Sequence, residues 1–298
     1  KEGEETKCIH PTSMARDGLK KGLNLENELG FNPLDFGMIG STDTHNSNPG
    51  DTEEWDFRGS AGAFTATAEN RLKDGPRSAL IRNPGGLAVI WAEENTRDAL
   101  FESMQNKEVY ATSGTRIKLR TFAGFDMPVD MAETGDLTAA YKQGVPMGGR
   151  LYASESIAEG VSLFVWALKD PDNAPLAKLQ VVKGWIEEGE RQEVVYDVAC
   201  GGSEFDPATG KCEANGATVN MNDCSWDNTL GASELKTLWA DPDYGSNEDA
   251  FYYVRVVQNP TCRWTTYDSL RLGREPLDDS PATVTEMAWG SPIWVKAK

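Results

Sequence analysis

Two histidines occur in the 298 residues of this chain, and one of them, His45, stands two positions after Asp43. On an extended backbone such positions project to the same side, because side chains alternate in direction. A carboxylate oxygen and an imidazole nitrogen on one side form half of a site for a divalent metal. The local alternative is a turn, in which the Asp, Asn and Ser side chains of this polar run bond their own backbone. The run before it, Phe36-Gly-Met-Ile-Gly40, is apolar, and Pro49-Gly50 closes the polar stretch. That pattern predicts a buried strand running out into a functional loop. Glycines at 37 and 40 leave room for backbone or ligand to approach closely.

Other residues could take part in chemistry. Glu93 and Glu94 follow an apolar run and suit either an acid/base pair or a favourable negative charge at the start of a helix. Asp51, Glu53 and Glu54 lie just past His45 and suit a cation or a solvated surface. His10 stands near Cys8, but two donors close no metal site. Arg58, Arg71, Arg77 and Arg82 could clamp a phosphate, or pair with acids. Asp170, Asp172 and Asn173 resemble a fragment of a calcium loop without its downstream glutamate. Gly-x-Ser-x-Gly and His-Glu-x-x-His are absent, as is GxGxxG after a strand.

The elements that must position Asp43 and His45 begin upstream. Thr12 or Ser13 caps a helix predicted to run to about Leu29, with Leu19, Leu23, Leu25 and Leu29 as its apolar stripe. Gly30 and Pro33 stop it. Residues 61–72 suit a helix, 87–91 a short buried strand, and 96–104 a helix capped by Asn95 or Thr96. Helix, strand and loop thus alternate as in an α/β fold. Beyond residue 114 the character changes. Residues 115–122, 161–168, 179–183, 193–198, 251–258 and 292–296 read as strands separated by Pro/Gly/Asp clusters, with a short helix expected at 234–239. Strands without helical interludes predict a β-sandwich. The expected domains are therefore 1–114 and 115–298.

The composition excludes several classes. A net charge of −18 argues against nucleic acid, because phosphate contacts need a basic patch. Hydrophobic residues make up 39%, enough for a sizeable core. No apolar run is long enough to span a membrane. The chain opens at Lys1, and we expect it to be processed or part of something longer. No N-x-S/T sequon without proline occurs, which favours a bacterial source. Five cysteines, four of them after residue 199, point to disulfides in an oxidising compartment, hence a periplasmic or secreted protein. Cys200 with Cys212 would staple a Gly/Asp/Pro-rich loop and leave Cys224 with Cys262, although three connectivities are possible. Cys8 is then left over.

The run Phe36-Gly-Met-Ile-Gly-Ser-Thr-Asp-Thr-His45 resembles the C-terminal half of the DUF3604 family, which is related to the polymerase-and-histidinol-phosphatase (PHP) metal-dependent hydrolases. Asn83-Pro-Gly-Gly-Leu-Ala-Val-Ile-Trp-Ala-Glu-Glu-Asn95, Glu108-Val-Tyr-Ala-Thr-Ser-Gly-Thr-Arg116 and Gly144-Val-Pro-Met-Gly-Gly149 continue the resemblance, which reaches Ser291-Pro-Ile-Trp294. It implies a partial PHP-like β/α barrel over 1–114, followed by a mostly antiparallel β-sandwich over 115–298. It also implies that Asp43 and His45 are catalytic residues and ligands to a divalent metal, zinc, manganese or iron. The family's other histidines lie upstream, so this chain holds an incomplete ligand set. The remaining ligands are expected from an N-terminal segment of the same protein or another subunit.

The function so implied is the C-terminal portion of a metal-dependent hydrolase, a phosphoesterase that uses metal-activated water on a small-molecule phosphate ester. The alternative is a non-catalytic extracellular binding or assembly protein whose sandwich carries the working surface.

Overall fold

The computed structural model describes residues 14–73, 82–153, 160–245 and 249–296. Its centre is two sheets packed face to face. The larger has eight strands: β1 (Leu87–Ile90), β2 (Val109–Thr112), β5 (Arg150–Tyr152), β7 (Leu176–Glu187), β8 (Glu190–Cys200), β12 (Ala250–Gln258), β15 (Met287–Gly290) and β16 (Ile293–Lys296). The smaller has four: β3 (Lys118–Gly124), β4 (Val145–Pro146), β6 (Ser162–Leu168) and β11 (Glu234–Ala240). Two short pairs stand apart, β9 (Phe205–Asp206) with β10 (Lys211–Cys212) and β13 (Thr261–Cys262) with β14 (Thr283–Val284).

Alternation along the strands accounts for the layers. Leu163, Val165 and Ala167 of β6 meet Leu179 and Val181 of β7 and Tyr252, Val254 and Val256 of β12 in the main core. Burying each large aliphatic side chain stabilises by about 1.5–3 kcal/mol. The opposite face of β12 carries Phe251 and Tyr253, which pack with Val182 and Trp294 against Leu19 and Leu23 of α1 (Ala15–Leu29). The outer face of the small sheet, with Phe122 and Phe164, is covered by Met131 and Ala140 of α4 (Met131–Thr134) and α5 (Leu137–Gln143). Two further helices lie toward the N-terminal side of the chain, α2 (Ala68–Lys73) and α3 (Arg97–Gln105), and α6 (Trp264–Arg271) follows β13.

The chain forms mostly antiparallel sheets with few helices, as a β-sandwich requires. A partial PHP-like barrel over 1–114 is not supported. Such a barrel needs parallel strands joined by helical crossovers. Here α3 links β1 to β2, yet the two strands run antiparallel, Leu87 opposite Thr112. Strand β2 then pairs with β15, so the large sheet crosses the expected boundary near residue 114.

Other expectations fare differently. α1 ends where glycine was expected to end it: Gly30 sits at φ 78° and its N–H bonds Glu26 O. Leu19 and Leu23 are buried, whereas Leu29 is exposed, and Thr12 and Ser13 lie outside the described residues. Thr96 caps α3. Residues 61–72 split into a 3-10 turn over Gly62–Thr65 and α2. Residues 234–239 form strand β11 and not a helix, because the open edge of β6 takes up their backbone groups from Glu234 opposite Leu168 to Ala240 opposite Ser162. Both expected disulfides are present, Cys200–Cys212 and Cys224–Cys262. No helix among the described residues is long and apolar enough to cross a membrane.

Candidate functional site

The stretch expected as a strand at Phe36 joins no ladder. Ser291 Oγ takes the N–H of Met38 at 2.8 Å, and two backbone bonds join the stretch to the segment at 86–87: Gly40 N–H to Leu87 O and Gly86 N–H to Ser41 O. Phe36 and Met38 pack beside α1, while Ile39 is 62% exposed. The glycine at 40 is required by close approach: a Cβ there would lie 2.7 Å from Thr112 O and 2.8 Å from Leu87 O.

Asp43 and His45 follow on an exposed turn. Asp43 adopts φ 50°, so the alternation of an extended chain is broken at the first of the two residues. The turn is held locally, by His45 N–H to Ser60 O at 2.8 Å and by Asn46 Nδ2–H to Gly59 O at 2.7 Å. The imidazole Nδ1 lies 3.0 Å from the carbonyl oxygen of Asp43. A carbonyl can only accept, so Nδ1 carries the proton, and in the neutral ring Nε2 then has the lone pair. A neutral ring in that tautomer ligates a metal through Nε2. The Asp43 carboxylate is likewise exposed. Both side chains are exposed, but the extended geometry that would set them on one side is absent at Asp43. Among the described residues no group of three His, Cys, Asp or Glu stands together to hold a metal ion.

Two residues before Asp43, Ser41 enters the wall of a cleft of about 560 Å3. Ser41, Gly85 and Gly86 supply backbone, Ser113 and Trp289 side chains, and Glu54, Arg263 and Glu286 the charged groups. Glu54 and Glu286 are 9% and 3% exposed. Burial pushes the Glu54 carboxyl up to about 7, against the N–H of Trp264, 2.5 Å from Oε2, and the charge of Arg263. Burial also pushes Glu286 up, to about 8; the charge of Glu54 adds to the rise and the Ser113 hydroxyl opposes it. Both carboxyls also line a chamber of about 30 Å3 behind the cleft, with Thr115, Arg116, Asp170 and Asn173. That volume has room for one water molecule. Arg263 is fixed by Ser280 Oγ at 2.8 Å and Arg82 O at 2.6 Å. The cleft thus holds protons near neutrality on groups that water barely reaches.

The remaining sequence candidates resolve into structure. Glu94 accepts from Thr96 Oγ1 at the start of α3. Glu53 pairs with Arg116, and Arg58 with Asp56 and Asp51. Arg71 makes a two-point contact with Asp268, 2.7 and 2.9 Å, which ties α2 to α6. Asp170 accepts from the N–H groups of Arg116 and Asp172 and so shapes a turn. His10, Cys8 and Arg77 lie outside the described residues. A cavity of about 590 Å3 beside α1 is bordered by Arg16, Lys20, Glu193 and Tyr253, which already bond one another. Glu286 was missed in the sequence: nothing in the run Thr283-Val-Thr-Glu286 sets a buried carboxyl apart from a solvated one.

A family model described as "Protein of unknown function (DUF3604)" matches residues 1–297. Comparison with curated proteins gave no match, and comparison with solved structures gave none.

Proposed function

This chain belongs to the DUF3604 family, and from that premise we propose that it is the C-terminal portion of a metal-dependent hydrolase acting on small-molecule phosphate esters. The kinship with PHP hydrolases is part of the proposal, as is a periplasmic or secreted location, for which the two disulfides speak.

One observation carries the reading. His45 holds its Nδ1 proton against the backbone oxygen of Asp43, and both side chains are exposed on a turn that adjoins the cleft at Ser41. Asp43 and His45 would hold zinc, manganese or iron together with ligands from an N-terminal segment of the same protein or another subunit. A divalent metal there supplies an acidified water and positive charge for a developing oxyanion. The chain's own part is to orient the imidazole through the Asp43 carbonyl and to hold protons at Glu54 and Glu286. A carboxyl poised near neutrality can both give and take a proton.

The test is zinc and manganese titration of the chain, followed by the 15N resonances of His45. The expected result is a shift of Nε2 with Nδ1 still protonated, abolished in Asp43→Ala/His45→Ala. Unmoved His45 resonances at millimolar zinc and manganese overturn the proposal.

A further inference from the structure

Strand register sets a row of side chains across the large sheet. Ala111 of β2 stands opposite Trp289 of β15, Trp289 opposite Arg255 of β12, Arg255 opposite Gln180 of β7, and Gln180 opposite Asp197 of β8. Arg255 is two residues beyond Tyr253, so it projects from the face that α1 packs on. Beside this row lies the cavity of about 590 Å3 bordered by Arg16, Lys20, Tyr253 and Trp289. Met14 and Ala15 border it too, which brings the positive end of the α1 dipole to the same place.

Arg255 is held in position without being neutralised. Its Nε–H donates to Gln180 Oε1 at 2.7 Å, and Gln180 Nε2–H donates to the buried Asp197 at 2.6 Å. An amide oxygen orients a guanidinium but brings it no negative charge. Asp197 is already paired with Lys178 at 2.9 Å and accepts the N–H of Cys212. Among the described residues no carboxylate lies within ion-pair distance of Arg255, and its two terminal nitrogens make no hydrogen bond. Burial holds the Arg255 guanidinium below its ordinary value, and the charge of Arg16 adds to the fall against the opposing pull of Tyr253 and Asp197.

The pairing of charges leaves cations in excess. Asp17 is matched by Arg191 and Asp197 by Lys178. Glu193 alone faces both Arg16 and Lys20. One positive charge is therefore left over beside Glu193 and another on Arg255. Arg16 and Arg255 lie within electrostatic reach of each other and repel, and a dianion placed against both would relieve that repulsion. The free end of a guanidinium presents two N–H groups side by side, which match two oxygens of a phosphate.

We propose that Arg255, with Arg16 and Lys20, forms a binding site for a phosphate dianion on this face of the large sheet. It uses none of Asp43, His45, Glu54 or Glu286 and stands or falls apart from the hydrolase reading.

The test is isothermal titration of the intact chain with inorganic phosphate and, separately, with acetate, each at pH 8. The expected result is saturable phosphate binding that weakens as salt is raised, because the attraction is between charges. Acetate, with one charge, should bind at least about tenfold more weakly. Arg255→Gln should weaken phosphate binding about tenfold or more, and Arg255→Lys, which keeps the charge and loses the paired N–H groups, should weaken it less. The melting temperature of Arg255→Gln without phosphate should not fall, since the substitution removes a half-buried charge that has no partner. Asp43→Ala/His45→Ala should bind phosphate as the parent does. Absence of phosphate binding at millimolar concentration overturns the proposal. So does binding that Arg255→Gln leaves intact, and so does acetate binding as tight as that of phosphate.

Discussion

The Ser113 hydroxyl donates to Glu286, and the charge of Glu54, which lines the same cleft, bears on the same carboxyl. Two acids that share a buried wall resist being ionised together. Their shifts have a definite sign for stability. Both folded values lie above the unfolded value of 4.5, so the folded state binds more protons than the unfolded state between pH 4.5 and about 8. The stability they contribute is complete below pH 4.5 and is lost as pH rises through about 7 and about 8. For each carboxyl the loss is on the order of a few kcal/mol. Glu286→Gln should therefore flatten the melting temperature profile between pH 4.5 and about 8 and raise the melting temperature at pH 9. An unchanged profile between pH 5 and 9 would contradict the burial of these groups.

Arg71 and Asp268 test a different kind of burial. Their side chains are 7% and 1% exposed and joined at two points. Asp268→Ala strands the guanidinium and should cost about 3–5 kcal/mol in urea denaturation. Arg71→Met/Asp268→Leu should cost less than Asp268→Ala alone, because no buried charge is left unpaired.

Gly86 tests the contact between the turn and the sheet. A Cβ there would lie 2.3 Å from Thr112 O, a backbone atom with no freedom to move aside. Gly86→Ala should destabilise by about 1–3 kcal/mol and weaken the Gly86–Ser41 bond that holds the base of the Asp43 turn. Faster hydrogen exchange at Gly40 and Gly86 is the expected signature. Gly30→Ala meets no atom within 4 Å but must adopt φ 78°, so its cost is one of backbone strain alone.

The disulfides should separate by loop length. Cys200–Cys212 spans 12 residues and Cys224–Cys262 spans 38. Chain entropy assigns them about 3 and about 4 kcal/mol. Cys224→Ala/Cys262→Ala should lower the melting temperature more than Cys200→Ala/Cys212→Ala. Equal effects would show that native-state contacts outweigh the chain term.

Local chemistry determined part of this protein on its own. Gly30 ends α1 because glycine adopts a positive φ without penalty, and Thr96 starts α3 because its hydroxyl takes a helix N–H. Runs separated by Pro/Gly/Asp clusters marked β6, β7, β8 and β12. The polar run at Asp43 and His45 was legible as a turn or half a metal site, and its backbone is that of a turn, with Asp43 in the left-handed region. Tertiary structure decided what depends on partners distant in the chain. Residues 234–239 became a strand because β6 offered an open edge. Residues 87–112 became a hairpin of the sandwich because β15 offered another. Glu54 and Glu286 became proton-holding groups because folding removed water from around them, and a carboxyl's neighbours are not written in its own segment of sequence.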